Sequence, residues 1–386
     1  MEPKIRLKGF CGDWEECIVN DIANRHDNLR IPVKESQRQK GDVPYYGANG
    51  IQDYVAGYTH DGSFVLVAED GASNLDHYPV QYTEGKIWVN NHAHVLSAKQ
   101  DTCTLFLKYL ISEADIKSNL VGGSRAKLNA EALMHLPLIK PSIKEQKAIA
   151  SYFQHFDSLI HSTTKKIVSL KQMKVASLQS MFPQKGEATP RVRMGKRNES
   201  WKECKLSDIL VERHEASTIT PDLPQLSFTI AEGVIRPEDR KSNQRDFLIK
   251  DKDNKRYLIT RVGDIIYNPA NVVYGAIHRN SLMDGVVSPI YRIFSTNQDS
   301  RFMECVVRRP SFICQLAMRT EGTVTKLKTL KPEAFLDMAV CIPTELEEQK
   351  MIGEYFRNLD TQIALQTQRL EKLKQIKSAC LDNMFV

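Results

Sequence analysis

The chain lacks the features that are typical of membrane proteins and of many enzymes. Its 386 residues include no stretch near the ~18 apolar residues of a membrane span, and residues 1–6 lack the apolar run of a signal peptide. There is no Walker lysine motif and no Gly-rich dinucleotide-binding loop. The eight cysteines form no Cys-x-x-Cys pair, which favours reduced, packed thiols over disulfides or zinc ligands. We therefore expect a cytoplasmic protein without a membrane segment.

Positive charge is weak in total but clustered. The net charge is +6 and the pI is about 8.7, which alone is a poor indication of nucleic-acid binding. Residues 308–331 carry six basic residues against one acid, and residues 117–140 carry four against one. In both places the charge surrounds a Gly-[Ser/Thr]-x-x-Lys-Leu loop, at Gly123 and at Gly322. Such a loop offers hydroxyl and ammonium donors to phosphates or base edges, although a solvated loop is the alternative.

One helical segment occurs twice. Residues 145–182 and 348–385 are identical at 17 of 38 positions with a constant offset of 203. Each copy follows a Ser or Thr that can cap a helix, with a Glu three residues later. Apolar residues recur at alternating steps of four and three, a heptad pattern that predicts two long helices pairing as an antiparallel coiled coil. The predicted seam contains Ile149, Phe153, Phe156, Ile160, Ile167 and Leu170 in one copy and Ile352, Phe356, Leu359, Ile363, Leu370 and Leu373 in the other. The alternative is that each helix packs only on its own domain.

The repeat extends to the start of each half. Pro3, Arg6 and Trp14 recur at an offset of 187, as do four further residues. Between the shared parts the halves diverge, as expected for one scaffold that carries two different binding surfaces. We predict an α+β protein of four segments: globular parts at 1–140 and 186–342, and helices at 141–185 and 343–386.

The globular parts show strand and helix patterns. We expect strands at 63–68, 86–89, 264–267 and 286–294, and helices at about 105–120 and 302–318. The loops between them are rich in Tyr, Asn and Gly, which hydrogen-bond and stack on bases but are equally ordinary in turns.

Together these features resemble the DNA-specificity subunit of type I restriction-modification systems. The residues that carry the resemblance are Pro-x-x-Arg with a downstream Trp, the segments 44–50, 88–93 and 263–266, and the motif Glu-Gln-Lys-x-Ile-x-x-Tyr-Phe-x-x-x-Asp at 145–157 and 348–360. The resemblance implies two small α+β target-recognition domains that read the halves of a split site in double-stranded DNA. It also implies that two paired helices bind two methyltransferase subunits and, through the complex, restriction and translocase subunits. S-adenosylmethionine, ATP and Mg would then belong to those partners, and this chain would carry no cofactor and no metal.

We predict DNA contacts in both globular parts. In the first they are Tyr45, Tyr46, Gly47, Asn49, Lys86, Asn91, His92, Ser124, Arg125 and Lys127. In the second they are Asn268, Asn271, Tyr274, Arg319, Thr323, Lys326 and Lys328.

Two other functions compete with this interpretation. Asp76, Glu84 and Lys86 form a string typical of metal-dependent endonucleases, but the string has no counterpart in the second half. Asn268 begins an imperfect version of an amino-methyltransferase motif that lacks the second Pro and the aromatic residue. His92 and His94 lie two apart, but no neighbouring carboxylate or Cys completes a metal set. A binding module for protein or structured RNA is the remaining alternative.

Overall fold

The computed structural model describes residues 2–122, 126–184, 186–195, 199–240, 255–321 and 328–385. They form two compact units: unit 1 comprises Met1–Lys165 and Gln368–Val386, and unit 2 comprises Lys166–Thr367. Each unit is mixed α/β, and each long helix contributes to both. Within the described ranges, no helix has both the length and the apolarity that crossing a membrane requires.

Unit 1 is built around one sheet. Its strands are β1 (Glu15–Ile18), β2 (Ala23–Arg25), β3 (Lys40–Gly47), β4 (Gly50–Val55), β5 (His60–Ala68), β6 (Val80–Val89), β7 (Ala93–Ala98) and β8 (Pro137–Lys140). Its helices are α1 (Val19–Ile22), α2 (Thr104–Glu113), α3 (Ala130–Met134) and the first part of α4 (Ile143–Ser180).

The main sheet of unit 1 has six strands in the order β2-β7-β5-β6-β3-β4, and β1 and β8 form a separate two-stranded sheet. Neighbouring strands are antiparallel except β3 and β6, which are parallel. Strand β5 is apolar on both faces because both are covered: Val65 and Val67 lie in the core with α2, whereas Phe64 and Leu66 belong to a second cluster. The continuous apolar run that predicted this strand thus reflects burial on two sides.

Unit 2 has smaller sheets. Its strands are β9 (Lys202–Lys205), β10 (Leu210–Glu212), β11 (Ala216–Ser217), β12 (Ser227–Thr229), β13 (Gly233–Ile235), β14 (Tyr257–Thr260), β15 (Ile265–Tyr267), β16 (Ile277–Arg279), β17 (Gly285–Val287), β18 (Arg292–Thr296) and β19 (Ala339–Ile342). Its helices are α5 (Ser300–Arg308), α6 (Pro310–Met318), α7 (Pro332–Leu336) and the first part of α8 (Leu346–Met384). The sheet orders are β10-β18-β15-β16 and β11-β14-β17, with pairs β12-β13 and β9-β19.

Three sequence-based boundaries were wrong. The helix expected at 302–318 is two helices, because Pro310 lacks the amide hydrogen that a continuous helix needs at that point. The strand expected at 286–294 is likewise split into β17 and β18, with Pro289 in the turn between them. The helix expected to reach 120 ends at Glu113.

The two long helices run antiparallel, as contacts within each unit show. In unit 1, Asp157 near the start of α4 accepts a hydrogen bond from Lys377 near the end of α8. In unit 2, Lys174 near the end of α4 donates to Asp360 near the start of α8 at 2.5 Å. Both pairs are related by the repeat offset of 203, so the same contact is made twice.

The predicted seam is buried most deeply where each helix begins. Ile149 and Phe153 are at most 2% exposed and belong to the core of unit 1. Ile352, Phe356 and Leu359 occupy the same place in unit 2, together with Leu170 and the partly buried Ile363. Ile167 is also buried, and four further seam residues are half-buried: Phe156, Ile160, Leu370 and Leu373. The first turns of each long helix therefore pack in the core of a globular part as well as against the other long helix.

An aromatic residue at the C-terminal end of each long helix packs in the core of the unit in which that helix ends. Phe385 at the end of α8 lies 5.8 to 6.3 Å, between ring centroids, from Phe106, Phe153 and Trp14. Phe182 after α4 lies 5.7 to 6.1 Å from Phe302, Trp201 and Phe356. The two clusters contain the same residue types in equivalent positions. The repeat therefore preserves the junction between helix and globular part.

Candidate nucleic-acid interface

The repeated Glu-Gln pair attaches the long helices to the globular parts. Arg6 donates from Nε and Nη2 to the two oxygens of Glu145, both at 2.8 Å. Arg193 makes the same bidentate contact with Glu348 at 3.0 and 2.6 Å. Each glutamate is 1% exposed, and a buried carboxylate requires such a partner. The hydrogen bond to Glu348 raises the pKa of Arg193, so the guanidinium stays charged at neutral pH.

The glutamine that follows fixes the helix that packs on the sheet. The side-chain oxygen of Gln146 accepts from the amide of Cys103 at 3.0 Å, and its nitrogen donates to the carbonyl of Pro141 at 2.9 Å. The side-chain oxygen of Gln349 likewise accepts from the amide of Asp299 at 3.1 Å. Cys103 and Asp299 directly precede α2 and α5. Both glutamines are buried, so these hydrogen bonds satisfy groups that could not remain unpaired.

Three predicted contact residues of unit 1 line one surface cavity. Asn49, His92 and Lys127 come from separate segments of the chain and meet around a cavity of about 650 Å³. Asn49 and His92 occupy turns next to β4 and β7, and both are exposed. The fold therefore brings together residues that sequence spacing could not relate. Their donors and acceptors face a common space at the end of the sheet, which suits contact with phosphates or base edges.

The side chains of this cavity are held by the loop beside it. Asn49 donates to the carbonyl of Gly71 and accepts from the amide of Ser73, both at 2.8 Å. His92 Nδ1 lies 2.5 Å from a carboxylate oxygen of Asp70. The expectation that no carboxylate accompanies the histidines was therefore wrong, because the carboxylate comes from a distant part of the sequence.

A network of partly buried charged groups lies next to the cavity. Glu69 accepts from Arg30 at 2.7 Å and is paired with Lys127 at 2.8 Å. His94 contacts Asp27 at 2.7 Å through Nδ1 and the carbonyl of Leu128 at 2.9 Å through Nε2. Lys127 is thus half-exposed and anchored to the core rather than free in solvent. The hydrogen bond with Glu69 raises the pKa of Lys127, which keeps the ammonium charged.

Burial and the neighbouring groups change the pKa of Asp27 in opposite directions, and the neighbouring groups have the larger combined effect. Desolvation acts to raise the pKa of this carboxyl, while the hydrogen bonds from His94 and the amide of Val95 and the charge of Arg30 lower it below its usual value. Oxygen and nitrogen atoms of Asp27, Glu69 and His94 lie within 4.8 Å of one another, close enough to hold a metal ion. Arg30 and Lys127 already neutralise these carboxylates, so the group is better described as an ion network.

Other predicted residues of unit 1 have different surroundings. Tyr45 is 1% exposed, and its hydroxyl bonds the backbone of Val33, so its ring is not available to stack on a base. Gly47 is buried, and a Cβ there would meet the Gln52 side chain at 2.3 Å. Tyr46 is half-buried, and Asn91 and Lys86 are exposed.

Two tyrosines that the sequence analysis did not select are more accessible. Tyr54 and Tyr58 are 52% and 50% exposed, in and just after β4, and the ammonium of Lys86 lies 4.7 Å from the ring centroid of Tyr58. An exposed aromatic ring beside a cation suits stacking on bases and attraction to phosphate. The available signal was that the Tyr-rich segment continues beyond residue 50.

In unit 2, the predicted segment 268–274 lies beside the second basic loop. The amide of Leu330 donates to the carbonyl of Pro269 at 3.1 Å. Tyr274 is 65% exposed, and Lys328 is exposed. Asn271 is half-buried, and the side chain of Asn268 accepts from the amide of Ala270 at 3.0 Å, as in an ordinary turn.

Several predicted basic contacts are paired or lie outside the described residues. Arg319 donates to Asp337 at 2.9 Å, which in turn accepts from Lys205. These two hydrogen bonds lower the pKa of Asp337. Four predicted residues fall outside the described ranges: Ser124, Arg125, Thr323 and Lys326.

The residues that flank the two basic loops show which positions of the two units are equivalent. In unit 1, Val121 pairs with Lys127, and the amide of Leu128 donates to the carbonyl of Glu69. In unit 2, Glu321 pairs with Thr329, and Leu330 makes the corresponding bond. Lys127 is thus equivalent to Thr329, at an offset of 202, and not to Lys326. Between these paired flanks the second loop is longer by two residues, which a motif match could not show.

The string typical of endonucleases is not assembled into a site. Asp76 lies on the surface and accepts a hydrogen bond from Lys117 at 2.6 Å. Glu84 is exposed on β6, and among the described residues neither carboxylate belongs to a group of side chains that could share a metal ion. Lys86 faces Tyr58 instead.

Comparisons with known proteins show which proteins this chain resembles. Residues 12–172 match the family model of the type I restriction modification DNA specificity domain. A putative type I restriction enzyme specificity subunit of Haemophilus influenzae is 40% identical over 153 residues, which are 40% of this chain and 39% of that protein. This match thus spans about two fifths of the length of the relative. The MjaVIII type I specificity subunit of Methanocaldococcus jannaschii is 21% identical over 96% of this chain and 91% of that protein.

A solved structure shares the whole fold. The S subunit of the type I restriction-modification system from M. genitalium has a TM-score of 0.70 and 12% sequence identity, covering 100% of this chain and 99% of that one. At this identity the similarity concerns the architecture, including the two long helices, and not the residues that contact a ligand.

Proposed function

We propose, from the premise that this chain belongs to the type I restriction-modification specificity-subunit family, that it recognises a bipartite, asymmetric sequence in double-stranded DNA. One observation carries the proposal. The same junction residues are repeated in both units, whereas the sheets attached to them differ: six strands in unit 1 and four plus three in unit 2. A duplicated frame with two unlike surfaces is what reading two unlike half-sites requires.

In unit 1, the half-site would be contacted by the cavity around Asn49, His92 and Lys127 and by the exposed Tyr54 and Tyr58. Asn and His offer donors and acceptors to base edges, and Lys127 offers charge to a phosphate. In unit 2, Asn271, Tyr274 and Lys328 would have the corresponding roles.

The long helices would dock two methyltransferase subunits. Met173 and Ile376 are related by the offset of 203, and they are 47% and 48% exposed. Val168, Val175 and Leu365 are also about half exposed. Large apolar side chains exposed along a helix are typical of a surface that a partner protein covers. The restriction and translocase subunits would join through that complex.

The chemistry would reside in those partners. Methyl transfer to a flipped adenine needs a cofactor site and a stacking pocket, so S-adenosylmethionine, ATP and Mg would be bound by other subunits, and this chain would be non-catalytic. Labelled S-adenosylmethionine mixed with DNA should give methylated DNA only when the methyltransferase subunits are added. Methylation by the purified chain alone would overturn this part of the proposal.

An exchange of variable regions tests the reading of half-sites. Residues 20–135 are replaced by the corresponding region of another family member, and the methylome of cells that express the complex is sequenced. We expect one half-site to change while the other half-site and the adenine spacing stay the same. The matched control replaces residues 210–331 and should change the opposite half-site. A change of both half-sites, or of neither, by the first exchange contradicts the proposal.

A further inference from the structure

Unit 2 contains a basic cleft that none of the roles above uses. Helix α5, the end of β16 and the two long helices enclose a cavity of about 530 Å³, a size typical of sites for small ligands. Its walls carry five cationic side chains, Lys174, Arg279, Arg301, Arg308 and Arg357. All its lining residues belong to unit 2. We call it the arginine cleft.

The acidic residues of the cleft do not balance these cations. Glu304 is shared by Arg279 and Arg308, each at 3.4 Å. Two longer separations to one carboxylate leave neither guanidinium in the close, bidentate geometry that a strong pair adopts.

The remaining cations show the same sharing. Glu354, which is not itself a lining residue, is shared by Arg301 at 3.2 Å and Arg357 at 2.5 Å. Among the described residues, Asp360 forms an ion pair only with Lys174. Five positive groups therefore face three carboxylates. Burial raises the pKa of the Cys305 thiol to about 12, so this lining sulfur is neutral and adds no negative charge. The cleft keeps an excess of about two positive charges.

The four guanidinium groups also have donors to spare. Each can donate five hydrogen bonds. Among the described residues, the side chains of Arg279, Arg301, Arg308 and Arg357 each donate one. Planar groups with parallel N–H donors match the oxygens of a phosphate, which can accept from several arginines at once.

At the equivalent place in unit 1, a buried tyrosine stands where Cys305 lines the cleft. The offset of 196 that relates Phe106 to Phe302 puts Tyr109 opposite Cys305. The ring of Tyr109 is fully buried, and its hydroxyl donates to Asp157 at 2.6 Å. The repeated frame thus has different side chains at this position in the two units, a buried tyrosine in unit 1 and the lining Cys305 in unit 2.

We propose that the arginine cleft binds a phosphate group, supplied either by a free phosphate-bearing ligand or by the backbone of DNA. A carboxylate ligand would repeat contacts that Glu304 and Glu354 already make, whereas a phosphate offers more oxygens and more charge to the unused donors. This inference goes beyond recognition of the two half-sites. Its first test does not depend on DNA binding at all.

The first test uses inorganic phosphate as the probe. Thermal unfolding of the full chain is followed in sodium phosphate and in sodium chloride at equal ionic strength, and the Kd for phosphate is measured by calorimetry. We expect phosphate to raise the Tm of the wild-type chain. The double variant Arg308→Gln/Arg357→Gln should lose this rise and bind phosphate about tenfold more weakly or worse. The control Arg369→Gln, an exposed arginine of α8 outside the cleft, should behave like wild type.

The second test identifies the source of the phosphate. Affinity of the assembled complex for duplex DNA is measured over a range of salt concentrations. If the DNA backbone enters the cleft, the double variant should reduce the salt slope by about one. Loss of phosphate binding with an unchanged DNA slope assigns the site to a free ligand. Because all other DNA contacts remain in place, failure of half-site reading would not imitate either result.

One outcome overturns the inference: wild type and double variant respond equally to phosphate and show equal salt slopes. Circular dichroism checks that the variant is folded. Should it not fold, Arg308→Lys/Arg357→Lys retains the charges but loses the planar donors, and it should still weaken phosphate binding measurably. Unchanged binding by that variant contradicts the proposed site.

Discussion

Unit 1 and unit 2 agree at the junctions with the long helices and differ almost everywhere else. Arg6, Trp14 and Gln146 in unit 1 make the same contacts as Arg193, Trp201 and Gln349 in unit 2. Beyond these contacts, the largest sheet of unit 1 has six strands, whereas the larger sheets of unit 2 have four and three strands. The comparison separates what holds the helices from what each unit presents to a ligand.

The two units also differ in side-chain size at an equivalent position of α2 and α5. Tyr109 fills the space beside the helix pair in unit 1, and two lysines lie 4.0 and 5.6 Å from its ring centroid. In unit 2 the smaller Cys305 at the equivalent position lines the arginine cleft. A difference in side-chain volume at one position of a repeated frame therefore accompanies a difference in packing, since packed interiors leave little unfilled volume.

Removing the aromatic residue at the C-terminal end of one long helix should have the largest effect, because it should destabilise one unit and not the other. Phe182→Ala should destabilise unit 2, and Phe385→Ala should destabilise unit 1, by roughly 3 to 5 kcal/mol for a fully buried ring. Phe182 is 0% exposed, so its loss should have the larger effect. Hydrogen exchange measures which unit loses protection. The control Leu365→Ala, at a side chain 57% exposed, should change little. Equal loss of protection in both units by either variant would contradict this prediction.

Removing one arginine of the buried ion pairs should have the next largest effect. Arg193→Ala leaves the carboxylate of Glu348 buried and unpaired, at a cost of about 3 kcal/mol. Arg6→Ala should act similarly on Glu145 in unit 1. Urea denaturation measures both changes. The double variant Arg193→Ala/Glu348→Gln should recover part of the loss, because no buried charge then remains. A double variant as unstable as Arg193→Ala would show that the charge is not the cause.

Acid should weaken unit 2 through a buried histidine. Burial, aided by the charge of Arg308, lowers the pKa of His278 to about 4 from an ordinary 6.5. Glu304 faces the same ring at 4.0 Å. Between these pH values only the unfolded chain takes up the proton, so the stabilisation is complete above about pH 6.5 and is lost as the pH falls towards 4.

At pH 5 the loss should be about 2 kcal/mol, measured by urea denaturation at pH 7 and pH 5. His278→Gln retains a donor for the carbonyl of Ile230, which His278 contacts at 2.8 Å, and should reduce this difference. The variant is the necessary control because burial also lowers the pKa of His60 in unit 1. An unchanged pH dependence in the variant would assign the effect to other groups.

The smallest expected effects are at the lysines that link the helices. Lys377→Ala and Lys174→Ala each remove one ion pair to Asp157 or Asp360. Partly exposed pairs contribute about 0.5 kcal/mol. Lys377 should matter slightly more, since its carboxylate partner also accepts from Tyr109 and its side chain is 19% exposed against 29% for Lys174. Thermal unfolding measures the order, and a reversed order would contradict this reasoning.

The residue pattern correctly predicted the long helices and the presence of the strands. It predicted less accurately where the helices and strands begin and end. The heptad spacing identified α4 and α8 because helix formation follows a local period. The apolar run at 63–68 identified β5 for a similar reason. Pro289 and Pro310 divided elements that the pattern joined, although the chemical reason was visible in the sequence. The offset between the basic loops was misjudged because a short motif does not fix which flanking residues pair.

The candidate site was predicted only in part. Exposed turn residues such as Asn49 and Tyr274 occupy the surface, as polar turn chemistry suggests. Tyr45 is instead buried against its own sheet. Its sequence pattern could not show this, because aromatic rings occur both in cores and at binding surfaces. The carboxylates beside His92 and His94 come from residues 27, 69 and 70, a combination that no local spacing contains.

The sequence by itself determined the duplication, the long helices and the family resemblance, since these depend on identity and period along the chain. Only the tertiary structure decided which side chains meet. It placed Phe182 and Phe385 in the cores of the units opposite to those in which their helices begin. It also enclosed five cations of unit 2 around three carboxylates. The physical reason is that helix and strand periods are local, whereas ion pairs, cavities and core packing depend on residues that are distant in sequence and adjacent in space.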